Sequence, residues 1–180
     1  MKNTLPLKQL LRFLILPSVL LLFSAGCSHK KKRNENDPND TIPVRTAKFF
    51  TLSDVHFDPF YDTSLVQKLV HADVNDWDAI FRSSHQTGFG VYGKDSNFNL
   101  MTGAFSAMHN VNADPDFIVI TGDFLSHKFQ QTYDTLTGTK MQDALPREAF
   151  ITKTIEFIAL ELVKEFPHTP VYPVLGNNDD

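Results

Sequence analysis

Three short, largely apolar segments of the chain each lead into polar residues of the kinds that bind metal ions. The segments are residues 47–52, ahead of Asp54 and His56; residues 117–121, ahead of Asp123; and residues 171–175, ahead of Asn177 to Asp179. Apolar residues that run on without alternation are typical of strands buried on both faces of a sheet. No other feature restricts the fold as strongly, because it predicts a layered structure with polar groups at its strand ends.

The stretches between these segments show the periodicity of helices. Two stretches have apolar residues at helical spacing: Met101, Phe105 and Met108 within 98–110, and Ile151, Ile155, Ile158 and Leu162 within 147–166. The less regular stretch 61–92 predicts a helix at 64–71 and then a long loop. Strands that alternate with helices indicate an α/β fold with a largely parallel sheet.

The position of these polar residues, directly after strands, indicates that they could form a ligand-binding site. In open α/β sheets, ligands bind beyond the carboxyl ends of the strands. A single Asp after a strand is often only a cap or turn residue. The joint occurrence of Asp-x-His, Gly-Asp and Gly-Asn at three strand ends favours a common site. Carboxylate, imidazole and amide groups suit iron, manganese or zinc.

This set of motifs resembles that of the calcineurin-like metallophosphoesterases over residues 49–180. The resemblance implies an α/β fold, the N-terminal half of a β-sandwich flanked by helices (αββα). It implies a site for two metal ions, in which Asp54 and His56 bind the first ion, Asp123 bridges both and Asn177 binds the second. Zinc, manganese or iron ions in such a site would activate a water molecule for attack on phosphorus.

The residues around the motifs are similar to the acid sphingomyelinase-like branch of that family. Residues 54–61 resemble its D-x-H followed by D-P and Tyr, and the spacing from Asp123 to His127 resembles its G-D-x-x-x-H. Residues 92–96 are similar to its Y-G-x-D-C segment, without the cysteine. The resemblance implies that His127 lies over the phosphate and donates a proton to the leaving group.

Asn178 stands where the family usually has histidine. Asparagine cannot transfer a proton near neutral pH, although its amide can donate a hydrogen bond. Endopolyphosphatases, which are similar to this branch, carry G-N-N-D at this place. We therefore expect His127 to be the general acid, with Asn178 as a second catalytic candidate. The substrates implied are phosphorylated small molecules, lipid headgroups, and polyphosphate or nucleotide-type anhydrides.

The net charge and the composition restrict what the chain can bind and how its fold can be stabilised. The formal net charge of −4 argues against nucleic acid, because nucleic-acid-binding domains usually have a basic face. The 16 phenylalanines provide material for a sizeable core. Cys27 is the single cysteine, which excludes an intrachain disulfide.

The first 27 residues have the layout of a secretory signal. Positive residues precede an apolar run at 13–23, and small residues lead into Cys27. This ending resembles the lipobox of bacterial lipoproteins, although Ser24 departs from it. It implies lipidation of Cys27 and a protein exported to the bacterial periplasm or cell envelope and held to the membrane by lipid. The alternative is a plain signal peptide cut near Ala25.

The domain organisation follows from composition. Residues 28–45 combine a basic run with Asn, Asp and Pro, which predicts a flexible tether. We expect the folded domain at 46–180. The family has further histidines after the third motif, one alone and then a G-H-x-H pair. This predicts a domain truncated at its C-terminus, with one exposed sheet face, that a second polypeptide could complete.

Four other histidines, His71, His85, His109 and His168, lie outside the family motifs. We interpret each as a surface or structural residue. Two hypotheses on function therefore stay open. One is a metal-dependent hydrolase of phosphoesters or phosphoanhydrides; the other is a catalytically inactive surface lipoprotein that serves as a binding or structural module.

Overall fold

The computed structural model describes residues 46–179. The predicted signal peptide, the lipidation of Cys27 and the tether at 28–45 lie outside the described residues. Among the residues described, no helix has the length and apolar character needed to cross a membrane.

The three predicted strands form one parallel sheet in the order β1-β2-β3. They are β1, Phe49–Leu52; β2, Phe117–Ile120; and β3, Val171–Pro173. Leu52 pairs with Ile120, and Ile120 with Pro173, so the three strands end side by side. The α/β class is confirmed, and the three polar motifs leave the sheet at the same edge.

Five α-helices, besides two short 3-10 helices, accompany the sheet within the described residues. They are α1, Val66–His71; α2, Trp77–Arg82; α3, Phe98–Val111; α4, Phe129–Thr137; and α5, Ala144–Glu165. The predictions of α1, α3 and α5 are confirmed. Helix α5 begins three residues before the predicted 147 because Pro146 fits its first turn.

Sequence patterns did not predict helices α2 and α4. Helix α2 has six residues and falls within the predicted long loop. Helix α4 buries only Phe129 and Tyr133, which is too few for a recognisable stripe. Both helices are held by packing against other elements rather than by a strong local pattern.

Aromatic side chains form the centre of the core. Trp77 packs against Phe150 and Phe157 with ring centroids 5.2 and 5.6 Å apart. Its indole N–H donates a 3.0 Å hydrogen bond to the Leu69 carbonyl, which satisfies the buried polar atom. This cluster fixes helices α1, α2 and α5 to one another behind the sheet.

The same cluster shifts the buried face of α5 away from the predicted stripe. Ile158 and Leu162 are buried as predicted, whereas Ile151 and Ile155 are only half-buried. Phe150 and Phe157 are buried in their place, because their large rings fill the space around Trp77. The predicted face of α3 is confirmed, with Met101 and Phe105 buried and Met108 packed against the core.

The helices cover one face of the sheet. Ile118 and Ile120 of β2 are buried, and alternation places their neighbours on the opposite face. On that opposite face, Phe49 is 52% exposed and Tyr172 is 59% exposed. Burial of the strands on both faces is therefore wrong for the described residues, since no described element shields these rings from solvent. The prediction of an exposed sheet face agrees with this arrangement.

Candidate metal centre

The first two ligand loops continue the parallel ladder of the sheet beyond the strands. Three backbone bonds join them: Asp54 N to Gly122 O at 3.3 Å, His56 N to Asp123 O at 2.9 Å, and Phe57 N to Phe124 O at 2.8 Å. Residues 54–57 and 122–124 therefore run side by side. This pairing brings the predicted ligands Asp54, His56 and Asp123 together, although the two loops are far apart in sequence.

The three predicted ligands share an unusual backbone conformation. Asp54, His56 and Asp123 have φ of 55°, 40° and 57°, and the one further non-glycine residue with positive φ within 46–179 is Lys128. L-residues rarely adopt this left-handed region, because the Cβ atom crowds the backbone. The ladder of hydrogen bonds holds this strained backbone, which is typical of functional sites.

The side chains of these residues leave space for a cation between them. His56 Nε2 lies 3.6 Å from Asp54 Oδ1 and 3.8 Å from Asp123 Oδ2. Both distances are too long for hydrogen bonds. They match the separation of two ligands that each bind one ion at about 2.0–2.2 Å. One ligand atom from each residue lies within 4.8 Å of the others, so the group fits a metal ion.

Hydrogen bonds prepare the ligands for that role. His56 Nδ1 lies 3.0 Å from the Leu125 carbonyl oxygen, an arrangement that leaves Nε2 for a metal. The pKa of Asp123 is lowered, mainly by the hydrogen bond from the Asn178 backbone N–H. The Asn178 side chain and the His56 ring lower this pKa further, while desolvation raises it. Asp123 is therefore a carboxylate at neutral pH, as metal binding requires.

Asp179 joins the second and third loops, a role that the sequence did not reveal. Its buried carboxylate accepts four backbone N–H bonds: from Phe124 at 2.7 Å and Leu125 at 3.1 Å on Oδ1, and from Asp123 at 2.9 Å and Gly176 at 2.7 Å on Oδ2. The available signal was its place as the last residue of the third motif. Asp179 thereby fixes the backbone that carries Asp123.

Two glycines allow the second and third loops to approach this closely. A Cβ atom on Gly176 would lie 2.2 Å from Asp123 Oδ1 and 2.4 Å from its backbone nitrogen. A Cβ atom on Gly122, whose φ is +99°, would lie 2.3 Å from the Gly176 nitrogen. The two Gly residues of the Gly-Asp and Gly-Asn motifs are thus required by sterics.

The two asparagines of the third motif differ in their surroundings. The Asn178 backbone N–H donates a 3.0 Å hydrogen bond to Asp123 Oδ1. Asn177 is exposed and lines a surface groove of about 300 Å³ together with Asn178 and Ser126. Asn177 therefore lies on the loop after β3 with its side chain accessible from solvent.

His127, the predicted proton donor, lies against the ligand His56. The two rings stack with centroids 4.4 Å apart and an interplanar angle of 22°. His127 Nδ1 lies 2.7 Å from Asp95 Oδ1, and the His127 backbone N–H donates a 2.9 Å bond to Asp95 Oδ2. Asp95 was not among the predicted site residues. Only its place in residues 92–96, similar to a family segment, pointed to it.

The remaining histidines lie outside this centre. The ring nitrogens of His71 and His109 contact backbone carbonyls of Gln67 and Glu165 at 2.7 and 2.9 Å, and His85 and His168 are exposed. None of the four belongs to a metal-type cluster within residues 46–179, which agrees with their interpretation as surface or structural residues.

A parallel sheet with a carboxylate–histidine cluster at the carboxyl ends of its strands defines an α/β domain with a candidate metal centre. Comparison with protein families supports this assignment, since the model described as calcineurin-like phosphoesterase matches residues 47–180. The chain belongs to the calcineurin-like phosphoesterase family. Members of this family use divalent metal ions, which accords with the cluster of Asp54, His56 and Asp123.

Individual relatives indicate to which branch of the family the chain is most similar. A sphingomyelinase phosphodiesterase C of Dictyostelium discoideum is 26% identical over 144 residues, 77% of this chain and 28% of that protein. Human acid sphingomyelinase-like phosphodiesterase 3b is 28% identical over 134 residues, 74% of this chain and 26% of that protein. An endopolyphosphatase of Neurospora crassa is 30% identical over 147 residues, 74% of this chain and 17% of that protein.

These relatives confirm the predicted resemblance to the acid sphingomyelinase-like and endopolyphosphatase-like branch. The aligned part of the chain spans at most 28% of the length of each of the three. Two relatives are named as phosphodiesterases and one as an endopolyphosphatase, so both names refer to phosphorylated substrates.

Proposed function

We propose that the protein hydrolyses a phosphate ester or phosphoanhydride at a site for two metal ions. The observation that carries the proposal is the group of Asp54, His56 and Asp123, whose ligand atoms lie within 4.8 Å of one another at the carboxyl edge of the sheet. When bound, the ions supply a Lewis acid for the phosphate oxygens and lower the pKa of a water molecule.

Each ligand has its own part in holding the ions. Asp54 and His56 would hold the first ion, and Asn177 would hold the second. Asp123 would be a ligand of both ions. Its Oδ2 lies 3.8 Å from His56 Nε2, and its Oδ1 accepts the Asn178 backbone N–H, which holds it in place. Within residues 46–179, Asp123 and Asn177 are the ligands that we propose for the second ion.

His127 donates the proton to the leaving group. Its side chain is 63% exposed, so it is accessible to a substrate, and its ring lies on the ligand His56. Asn178 is a weaker candidate for direct catalysis. Its side-chain amide already bonds Asp123 and lowers the pKa of that carboxyl, so Asn178 serves to orient the bridging ligand.

The substrate class follows from the same site and from the relatives. Phosphodiesterases and an endopolyphosphatase are among the similar proteins, and their substrates share a phosphate group with an oxygen leaving group. A site in which metal ions hold the phosphate and His127 reaches the leaving oxygen suits phosphodiesters, phosphorylated lipid headgroups and polyphosphate alike. The rates of hydrolysis of these three kinds of substrate should therefore be compared.

The decisive experiment uses the full-length protein purified without metal. We expect Mn²⁺ or Zn²⁺ to restore hydrolysis of bis-(p-nitrophenyl) phosphate and of polyphosphate, and EDTA to remove it. Asp123→Asn should lower kcat/KM by about 1000-fold or more, since it weakens a ligand of both ions (about 4 kcal/mol of transition-state stabilisation).

Asp114→Asn is the matched control. It makes the same change at an exposed residue just before the amino end of β2, at the opposite end of the strand from the site, and should leave kcat/KM within about twofold, as is usual for surface substitutions. If the protein binds metal but hydrolyses none of these substrates, the hydrolase proposal fails. The alternative, a binding or structural module, would then be favoured.

We also propose that the protein is exported and held at the cell envelope by lipid on Cys27. The proposal rests on the apolar run at 13–23 and on the small residues before Cys27. Expressed in a bacterial host, the wild-type protein should fractionate with membranes and Cys27→Ser with the soluble fraction, because one lipid-modified residue is the anchor. Equal membrane association of both proteins would contradict lipidation.

A further inference from the structure

Asp95 contacts His127 through both of its carboxylate oxygens. Oδ2 accepts the His127 backbone N–H at 2.9 Å, and Oδ1 lies 2.7 Å from the ring nitrogen Nδ1. One carboxylate therefore holds the main chain and the side chain of the same residue. The His127 side chain is 63% exposed, so this carboxylate, together with stacking on the His56 ring, restricts the rotation of its ring.

The backbone around Asp95 is itself fixed to the first ligand loop. Ser96 N donates to His56 O at 2.9 Å, and Asp58 N donates to Ser96 O at 2.8 Å. The Ser96 hydroxyl also donates to the Val55 carbonyl. Asp95 thus spans two loops: its main chain is tied to the residues around His56, while its side chain reaches the loop of Asp123 and His127.

This arrangement selects one nitrogen of His127 for chemistry. With Nδ1 occupied by Asp95, Nε2 is the ring nitrogen that remains for a substrate. The ring lies flat against His56, with centroids 4.4 Å apart, so it is held beside the metal ligands. A carboxylate that orients an imidazole in this way acts through the histidine and does not touch the substrate.

We propose that Asp95 is a positioning residue that holds His127 as the proton donor to the leaving group, a role that rests on the hydrolase function proposed above. In the step concerned, a water oxygen bonds to phosphorus and releases its proton to solvent. The bond from phosphorus to the leaving oxygen breaks, and that oxygen keeps the electron pair and takes the proton from His127 Nε2. The imidazolium becomes a neutral imidazole, which solvent protonates again, and Asp95 stays a carboxylate.

Asp95→Asn tests the role through the dependence of the rate on the leaving group. The amide offers one acceptor oxygen to two N–H donors, so the ring or the backbone of His127 loses its partner. We expect kcat to fall by about 10- to 100-fold for a phosphodiester with a primary alkoxide leaving group, which needs a proton. For a matched diester with a 4-nitrophenolate leaving group, which needs little protonation, we expect a loss of about threefold or less.

Two further measurements separate positioning from a general structural effect. In a His127→Gln background, Asp95→Asn should add a loss of about twofold or less, because the two residues act as one unit. In the metal-free wild-type protein, proton NMR should show a hydrogen-bonded His127 Nδ1–H resonance. Asp95→Asn and His127→Gln should both remove that resonance, whereas the surface control Asp114→Asn should keep it.

Several outcomes would overturn the proposal. An equal loss on both diesters, or additive losses in the double variant, would show that Asp95 does not act through proton donation by His127. Loss of a bound metal ion in Asp95→Asn would make Asp95 a ligand instead, since His56, Asp95 and His127 also lie within 4.8 Å of one another. Failure of the wild-type protein to hydrolyse either diester or polyphosphate would contradict the hydrolase function, and the proton-donor role with it.

Discussion

Asp179→Asn should weaken metal binding and destabilise the domain at the same time. The carboxylate of Asp179 accepts four backbone N–H bonds from residues 123–125 and 176. An amide has one acceptor oxygen, so about two of these buried donors lose their partners, at a cost of about 1–3 kcal/mol each. The same substitution turns an N–H₂ group toward backbone N–H groups. We therefore expect the midpoint of thermal unfolding to fall by about 10 °C or more.

Thermal unfolding followed by circular dichroism, and titration calorimetry with Mn²⁺, test this expectation. The effect on metal affinity follows because Asp179 holds the backbone of Asp123, and a lost supporting group typically costs about 10- to 100-fold in affinity. Asp114→Asn, an exposed residue with the same chemical change, should alter neither value. A melting temperature and metal affinity in Asp179→Asn equal to those of the wild type would show that Asp179 does not join the two loops.

Gly176→Ala should have a comparable effect through sterics alone. The added methyl group would lie 2.2 Å from Asp123 Oδ1 and 2.4 Å from the Asp123 backbone nitrogen, distances that no packing tolerates. The second and third loops must then separate, which breaks the bonds that Asp179 and Asn178 make across them. We expect a loss of about 1–3 kcal/mol in the free energy of unfolding. We also expect metal affinity to fall by at least about 10-fold, because the Asp123 carboxylate is displaced.

Gly88→Ala is the matched control for that experiment. No atom lies within 4 Å of the position that a Cβ on Gly88 would occupy, so this variant makes the same change in open space. Chemical denaturation and calorimetry with Mn²⁺ should find it close to wild type. If Gly176→Ala behaved like Gly88→Ala, the close approach of the two loops would not be needed for the site.

The sequence predicted the centre of the site because parallel strands impose it. Strands that run parallel and start in register end at the same edge, so residues just after each strand must meet there. Asp54, His56 and Asp123 required nothing more than that argument and the family resemblance. The continuous apolar strands could be recognised without knowing which of their faces would be covered.

Asp95 and Asp179 could not be found in this way. Asp95 lies 32 residues before its partner His127, and their contact depends on the path of the irregular stretch that precedes α3. Asp179 was part of a recognised motif, but its carboxylate turns inward to backbone N–H groups rather than outward to a metal. Backbone partners of a side chain leave no pattern in the sequence, because any residue can offer an N–H group.

The backbone bonds that extend the ladder from β1 and β2 to Asp54, His56 and Phe57 make folding and metal binding thermodynamically linked. An ion that binds only the folded arrangement adds its binding free energy to the stability of the sheet. The concentration of free metal around the protein would then set how much of it is folded. A metal-poor compartment would lower the stability of the folded domain, and a metal-rich one would raise it.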